Sequence, residues 1–306
     1  MRILLTGGSG MVGSNIIELF EKQNYEIISP DIEELNLLNA DAVSNYLSDI
    51  KPDLVIHAAG IVGGIQANIA HPVKFLVDNI QMGVNVIMAA REIGIEKLIN
   101  LGSSCMYPKD GVNPLKEESV LSGALESTNE GYAIAKIASA RLCEYIARED
   151  PTFDYKTVIP CNLFGRYDKF DENYSHMIPA VIRKIYSAKQ AEVSQVDIWG
   201  DGSARREFMY AGDLAKFILF AIENYSKVPG VINVGLGRDY TINEYYSEIA
   251  KVIGYTGDFV HDLSKPVGMK QKLVDVTKLK SIGWEASTEL QKGIRKTFEY
   301  YLSRIC

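Results

Sequence analysis

Tyr132 and Lys136 have the residue types and the spacing for proton transfer at a carbonyl or an alcohol. They lie four residues apart, so a helix would present both side chains on one face. A cation close to a phenol favours the phenolate, which predicts a Tyr132 pKa below its ordinary value of about 10. We therefore expect Tyr132 to exchange a proton with a ligand near neutral pH.

A glycine-rich turn near the start of the chain suits a dinucleotide. The sequence TGGSGMVG at residues 6–13 contains Gly7, Gly10 and Gly13 and lies between an apolar run and a helical pattern. Because such a turn lacks β-carbons, its backbone amides approach a pyrophosphate closely, and the helix N-terminus adds partial positive charge. Glycines also mark ordinary strand-to-helix turns, which is the alternative for this motif alone. Together with Tyr132 and Lys136, the turn indicates redox chemistry.

The elements that must position these residues alternate regularly over the first half of the chain. Short apolar runs and amphipathic stretches predict an α/β fold with a doubly wound parallel sheet, the Rossmann arrangement. The ligand of such a sheet lies at the carboxyl ends of its strands, and Ser103 and Ser104 follow the fourth strand. We expect strands at 2–6, 25–29, 53–57, 97–101 and 154–160, and helices near 11–23, 40–48, 72–93 and 130–148.

The regular pattern weakens after residue 165. A helix-like stretch at 175–188 comes first, and residues 199–225 then indicate a strand and a helix that return to the sheet. No repeat or low-complexity linker separates the parts, so we expect a smaller C-terminal α/β substrate lobe interleaved with the nucleotide-binding domain. The predicted domains are a Rossmann domain at 1–165, to which 202–236 returns, and a substrate lobe at 166–201 and 237–306.

Composition excludes several classes of function. The chain has 306 residues, 47% of them hydrophobic, and a formal net charge of -7 with mixed signs, which offers no basic face for nucleic acid. The first strand starts at the second residue, and no apolar run reaches about 18 residues, so we expect a cytoplasmic protein without a membrane segment. The four cysteines form no C-x-x-C pair, so no disulfide framework and no metal site are expected.

Six segments resemble the GDP-L-fucose synthase family of extended short-chain dehydrogenase/reductases, and the resemblance covers essentially the whole chain. The spacing Gly7-x-x-Gly10-x-x-Gly13 and the Tyr132/Lys136 pair are typical of the superfamily. This family epimerises GDP-4-keto-6-deoxy-mannose at carbons 3 and 5 and reduces its carbon-4 ketone with NADPH. The segments are LGSSCMYPK (101–109), which is the most specific, STNEGYAIAK (127–136), IPCNLFG (159–165), SHMIPA (175–180), WGDGSARREFMY (199–210) and SKPVGMKQKLVDVTKL (264–279).

The resemblance implies five catalytic residues. Protons beside a ketone are acidic, so an epimerase needs a base on one face of the sugar and an acid on the other. Cys105 is implied as the base and His176 as the acid, while Ser103 and Tyr132 hydrogen-bond the oxygen that becomes an enolate. For the reduction, Tyr132 is implied as the proton donor and Lys136 as the holder of the cofactor ribose.

The resemblance also implies the binding residues and the partners. It favours NADP(H) as the cofactor, with NAD(H) not excluded, a GDP-sugar as the substrate, and a homodimer built from the helices near 72–93 and 130–148. For the GDP moiety it implies Lys184, Trp199 as a stacking surface, and Arg206 as a phosphate ligand. The implied cofactor residues are Gly7, Gly10, Met11, Val12, Gly13, Asp31, Leu101, Gly102, Lys136, Pro160, Asn162, Leu163 and His176.

Several of these residues have an alternative structural role. Cys105, following a central strand, would by itself be interpreted as a small buried apolar group. His176 would be a helix cap or a surface residue, and Trp199 would be a core residue. We assign the remaining candidates, listed here, to the core: Cys143, Cys161 and His57.

Two departures from the family pattern bear on the cofactor and the sugar. Ser9 and the stretch Ser29–Ile32 lack the arginines that suit a 2′-phosphate, and Asp31, 24 residues after Gly7, suits a free ribose 2′-hydroxyl instead. Val267 stands where the family has an aspartate, which puts the sugar in question. We expect a GDP-sugar 4-ketoreductase with 3,5-epimerase activity. The alternatives are a reductase of another GDP-4-keto sugar, such as a heptose or dideoxy-hexose, and a non-catalytic nucleotide-sensing protein.

Overall fold

The computed structural model describes residues 1–171, 175–265 and 269–305. Its largest element is a six-stranded sheet in which every pair of neighbouring strands is parallel. All five strands and all four helices predicted for the first half are present, with bounds that differ by at most three residues. The elements of the first half, among which only the short helix α3 was not predicted, are β1 Arg2–Thr6, α1 Met11–Phe20, β2 Glu26–Ile28, α2 Ala40–Ile50, β3 Leu54–His57, α3 Ile65–Ala70, α4 Pro72–Glu92, β4 Lys97–Leu101, α5 Glu130–Glu149 and β5 Asp154–Pro160.

The second half adds one strand to this sheet and forms smaller sheets of its own. Its elements are β6 Asn162–Phe164, α6 Met177–Gln190, β7 Gln195–Trp199, β8 Arg205–Arg206, β9 Phe208–Tyr210, α7 Ala211–Glu223, β10 Val231–Val234, β11 Tyr240–Thr241, α8 Ile242–Ile253, β12 Asp258–Asp262, β13 Gln271–Lys272, α9 Thr277–Ser281 and α10 Leu290–Ile305.

The order of the main sheet is β10-β5-β4-β3-β1-β2, so the chain reverses direction across the sheet between β1 and β3. A crevice outside the carboxyl ends of the strands at such a reversal is the usual ligand site of this fold. Residues Thr6 and His57 end the two strands and lie opposite each other. The Thr6 hydroxyl and the His57 Nδ1 atom are hydrogen-bonded at 2.8 Å, which joins the strand ends below the crevice.

Apolar side chains follow one another without interruption along β1 because both faces of the sheet are covered by helices. Ile3 and Leu5 pack in one buried cluster with Ile16 of α1, while Leu4 packs in another with Val43 of α2. The helix α7, predicted as part of the return to the sheet, extends the first cluster. The strand predicted with it at 199–225 is wrong, because β9 pairs with β6 outside the main sheet and the strand that joins the main sheet is β10.

A separate buried cluster holds the second half together. Ile182 of α6, Ile249 of α8 and Ile294 of α10 belong to it, beside the two-stranded sheet of β7 and β12. The residues Leu279 and Trp284, which the predicted division places in the substrate lobe, instead pack in the cluster of α1 and α7. The domain boundaries themselves stay a prediction.

Candidate active site

The turn after β1 has no room for side chains, as a pyrophosphate cradle requires. Gly7 has φ +77°, and a β-carbon there would lie 2.7 Å from the backbone of Ala59. A β-carbon on Gly13 would lie 2.2 Å from the Gly7 carbonyl oxygen. Gly10 occupies the N-cap of α1 without a side-chain cap, which leaves amides of the first helical turn open to an anion. The turn therefore fits the diphosphate of a nicotinamide cofactor.

The loop after β2 is acidic. The Asp31 Oδ1 atom accepts hydrogen bonds from the backbone amides of Glu33 and Glu34, each at 2.9 Å, so the carboxylate is fixed in a tight turn. The three carboxylates of this loop, with no arginine or lysine between residues 29 and 34, fit a ribose 2′-hydroxyl and repel a 2′-phosphate.

The residues predicted to act in the reduction meet at the carboxyl end of β4. The Ser103 hydroxyl oxygen accepts a hydrogen bond of 3.2 Å from the Cys105 amide and caps a short 3₁₀ turn, Ser104–Met106. The same hydroxyl hydrogen-bonds the phenol of Tyr132, which lies in the first turn of α5. The structure thus brings Ser103, Cys105 and Tyr132 together.

Lys136 lies one turn further along α5 and is 6% exposed. Its Nζ atom donates a hydrogen bond of 3.0 Å to the Leu101 carbonyl and lies 5.9 Å from the centroid of the Tyr132 ring. Burial lowers the pKa of Lys136 to about 8.

The predicted lowering of the Tyr132 pKa is wrong in direction. Burial of the phenol raises the pKa above its ordinary value, and negative charge on Cys105 raises it further, while the hydrogen bond from Ser103 opposes the rise. Desolvation of the phenolate outweighs the stabilisation by its neighbours. Tyr132 is therefore held in its protonated form, which is the form that donates a proton to a reduced ketone.

The sulfur of Cys105 has two polar partners. The Sγ atom accepts from the Asn129 side-chain amide at 3.2 Å and from the Lys272 ammonium at 3.6 Å, and the residue is only half-buried. The alternative of a plain buried apolar cysteine does not describe this environment.

His176 occupies the N-cap position of α6, but its side chain makes no capping hydrogen bond. Its pKa is lowered by burial first, and then by the positive charges of Lys272 and Lys169. The imidazole is accordingly neutral at neutral pH, and once protonated it is a stronger proton donor than an exposed histidine. Lys272 therefore bears on both residues of the implied epimerisation pair.

The residues implied for GDP lie on the small sheets of the second half. Trp199, which ends β7, is 48% exposed, so the alternative of a core tryptophan is wrong. The Lys184 ammonium forms an ion pair of 2.7 Å with Asp197 of the same strand. Arg206, on β8, donates to the Arg205 carbonyl at 2.8 Å, and burial lowers its pKa.

The remaining predicted cofactor residues lie in or directly after strands of the main sheet, in α1 and in β6. Gly102 donates from its amide to the Val158 carbonyl at 2.8 Å, and the Asn162 side chain donates to the Glu207 carbonyl at 2.9 Å. Met11 and Val12 start α1, Leu101 ends β4, Pro160 ends β5, and Leu163 lies in β6. Val267 and Cys306 lie outside the described residues.

The core assignments of three other residues are confirmed. Cys143 and Cys161 are buried free cysteines, and burial raises the pKa of Cys143 to about 12. His57 is buried, and burial lowers its pKa to about 3. Within the described ranges, no group of three histidine, cysteine or acidic residues could hold a metal ion. No helix in the same ranges is long and apolar enough to cross a membrane.

Asn129 and Lys272 are the site residues that sequence reasoning missed. Both lie within segments that carry the family resemblance. Asn129 stands three residues before Tyr132, but Lys272 is one of four lysines between residues 265 and 278, and no local pattern distinguishes it.

Comparisons with known proteins agree with this geometry. The NAD dependent epimerase/dehydratase family matches residues 3–235. A GDP-L-colitose synthase from Yersinia pseudotuberculosis is 61% identical over 99% of this chain and 98% of its own. A GDP-L-fucose synthase from Azorhizobium caulinodans is 50% identical over 99% and 96%.

Among solved structures, a GDP-6-OMe-4-keto-L-xylo-heptose reductase from C. jejuni has a TM-score of 0.91 and 28% identity. It matches 99% of this chain and 98% of that one. On the match that spans residues 3–235, the chain belongs to the NAD dependent epimerase/dehydratase family.

Proposed function

We propose that the protein reduces the carbon-4 ketone of a GDP-4-keto-6-deoxy sugar and epimerises the sugar at carbons 3 and 5 beforehand. One observation carries the proposal: a single turn after β4 joins a reductase hydroxyl, Ser103, to a thiol with two polar partners, Cys105. The names of the relatives, a GDP-L-fucose synthase and a GDP-L-colitose synthase, support the same class of substrate.

The reduction uses side chains that are held in place by the main sheet. When bound, a nicotinamide cofactor would supply hydride to the ketone. The glycine turn would hold its diphosphate, and Lys136, which donates to the Leu101 carbonyl, would hold its ribose. Ser103 donates a hydrogen bond to the ketone oxygen, and protonated Tyr132 delivers the proton that this oxygen takes up on reduction.

The epimerisation uses the thiol and the imidazole. Cys105 removes the proton beside the ketone, and Ser103 and Tyr132 stabilise the enolate oxygen that results. His176, once it has taken up a proton from solvent, returns a proton to the opposite face of the carbon. Its lowered pKa makes the protonated imidazole the minor form at neutral pH but a stronger donor than an exposed histidine.

The choice of cofactor rests on two opposing features. Family resemblance favours NADP(H), and the glycine turn fits the diphosphate of either cofactor. The acidic turn of Asp31, Glu33 and Glu34 disfavours a 2′-phosphate. We propose that the protein uses NADP(H) but discriminates only weakly against NAD(H). It lacks the pair of arginines that would give a strong preference for NADP(H).

A second candidate substrate is a GDP-4-keto dideoxy-hexose, favoured by the 61% identity to a GDP-L-colitose synthase. A sugar without the carbon-3 hydroxyl has no stereocentre to invert there, so only carbon 5 would be epimerised. The chemistry asked of Cys105, His176 and Tyr132 is otherwise unchanged.

We further propose a homodimer formed through α4 and α5, in the cytoplasm. Val73, Val77 and Val84 are exposed along α4, and Ile134 and Tyr145 are exposed along α5. The three valines are four and seven residues apart, and Ile134 and Tyr145 are eleven residues apart, so each set lies on one face of its helix. Light scattering at micromolar concentration should give the mass of two chains, and the mass of one chain would contradict the proposal.

The test of the activity is incubation with GDP-4-keto sugars in heavy water. Without reducing cofactor, the wild-type protein should exchange deuterium into carbons 3 and 5, and Cys105→Ser should lose most of this exchange because a hydroxyl is a far weaker base than a thiolate. Addition of NADPH or NADH should then reduce the ketone. Reduction of a pre-epimerised ketone without any exchange would assign the protein to carbon-4 reduction alone. No turnover of any keto sugar would favour the nucleotide-sensing alternative.

A further inference from the structure

We propose that Lys272 is a positioning residue for Cys105, and that the contact of its buried ammonium with the sulfur sets the reactivity of this cysteine. The inference rests on the proposed function for what the thiolate does, but not for the contact itself. The residue that would activate Cys105 therefore lies on β13, in the second half of the chain and far from Cys105 in sequence.

The position of Lys272 is fixed by the three-stranded sheet. Strand β13 runs parallel to β8, with Lys272 opposite Arg206. The Lys272 carbonyl accepts from the Glu207 amide at 3.3 Å, and the next amide, of Leu273, donates to the Asn113 side chain at 2.7 Å. The backbone on both sides of the lysine is thereby anchored, and its Nζ atom lies 3.6 Å from the Cys105 sulfur.

The charge of this lysine lacks a carboxylate partner. Lys272 is 9% exposed, and none of the ion pairs among the described residues includes it. Burying an ammonium without an anion is costly. Glu207 is buried beside Lys272, with its backbone amide bound to the Lys272 carbonyl. The Glu207 carboxylate already accepts hydrogen bonds from the backbone amides of Leu236, Gly237 and Val274.

The side chains that hydrogen-bond the sulfur are both donors. Asn129 adds a second donor at 3.2 Å, and no carboxylate is among the sulfur's hydrogen-bond partners. The phenol of Tyr132 is the titratable neighbour on α5, and it is held protonated. The imidazole of His176, which the charge of Lys272 also reaches, is neutral. Thiolates are favoured next to lysine in such settings.

A competing explanation is that Lys272 serves the diphosphate of the substrate. Arg206 lies beside it in the sheet, and two neighbouring cations suit an anionic ligand. The two explanations differ in one measurable respect: only the first makes the reactivity of Cys105 depend on Lys272 when no sugar is present.

The experiment is alkylation of Cys105 by iodoacetamide across pH 5–10, followed by mass spectrometry of the Cys105 peptide. Lys272→Met should raise the midpoint of the reactivity profile by about one pH unit or more, so that a roughly tenfold higher hydroxide concentration is needed for half-maximal reactivity. Lys272→Arg, which keeps the charge, should restore much of the shift. Lys270→Met, an exposed lysine of the same segment, is the matched control and should behave as the wild type.

Equal midpoints for the wild type and a folded Lys272→Met variant, checked by thermal unfolding, would overturn the inference. Weaker GDP binding in that variant, measured by calorimetry, would then assign Lys272 to the diphosphate. Because alkylation needs no substrate, a shifted midpoint supports the inference even if no keto sugar is turned over. Absence of turnover would count against the proposed function alone.

Discussion

The reductive end and the GDP end of the site are built differently. Ser103, Tyr132 and Lys136 lie at the carboxyl end of β4, an interior strand of the six-stranded sheet. Hydrogen bonds hold Ser103 and Lys136 there, and Lys136 is almost wholly buried. Trp199 and Arg206 lie on strands of two- and three-stranded sheets, and nearly half of the Trp199 surface is exposed. With the proposed roles, the residues that act on the ketone lie on the large, mostly buried sheet, while those that would recognise the nucleotide lie on the smaller sheets.

The largest effect should come from the reductive end. Tyr132→Phe removes the proton donor and should lower the rate of ketone reduction about 100-fold or more, because a general acid contributes at least that much. Tyr145→Phe, an exposed tyrosine of the same helix, is the control and should keep the wild-type rate. A Tyr132→Phe rate above about a tenth of the wild-type rate would remove Tyr132 from this role.

A smaller effect, on binding alone, is expected at the GDP end. Trp199→Ala should raise the dissociation constant of GDP roughly tenfold or more through the loss of base stacking, with little change in kcat at saturating substrate. Trp199→Phe keeps a flat ring and should recover most of the affinity. Calorimetry with GDP measures both, and an unchanged affinity in Trp199→Ala would end the stacking role.

The buried histidine below the crevice should also contribute to the stability of the protein in acid. His57 is neutral in the folded protein, where burial holds its pKa at about 3, but it takes up a proton below 6.5 when the chain unfolds. The folded-state pKa of this base is depressed, so its contribution is complete above pH 6.5 and is lost as pH falls. The loss is about 1.4 kcal/mol per pH unit between 6.5 and 3.

Denaturant unfolding at pH 5 to 8 compares the wild type with His57→Asn. The free energy of unfolding of the variant, which has no imidazole to titrate, should fall less steeply as the solution becomes acidic. Parallel curves for the two proteins would show that His57 does not couple to acid unfolding.

The smallest effect concerns the cofactor. Asp31→Asn keeps the acceptor for the Glu33 and Glu34 amides but removes the charge, so it should favour NADPH binding relative to NADH by several-fold, and by at most about tenfold for an exposed charge. Fluorescence titration with both cofactors gives the ratio. A ratio equal to that of the wild type would mean that Asp31 does not reach the ribose.

Sequence patterns predicted the first half of the fold well because its signals are local. The run at Arg2–Thr6, the glycines that follow it and the helix of Tyr132 and Lys136 each depend on neighbours in sequence. Strands β8 and β13 have two residues each, and their pairing joins positions 205–206 to 271–272. No periodicity exists over two residues, so this pairing could not be predicted.

The same limit explains why only some contacts of the candidate site could be predicted. The proximity of Ser103 to Tyr132 follows from placing both at the carboxyl edge of the sheet. The contact of Lys272 with Cys105 joins residues 167 apart and depends on the unpredicted sheet. The direction of the Tyr132 pKa shift was missed because spacing reports which charges are near, but not how much water the fold removes.

The return of β10 to the main sheet has a consequence for how the chain matures. β10 lies beside β5, yet it is synthesised only after α6 and β7. A chain cut at residue 165 would leave β5 as an open edge, with Val158 and Ile159 ready to pair with other molecules, so we expect it to aggregate. On the ribosome the sheet is likewise unfinished until residue 234 has emerged. Such a protein is poorly suited to being split into a cofactor-binding half and a sugar-binding half.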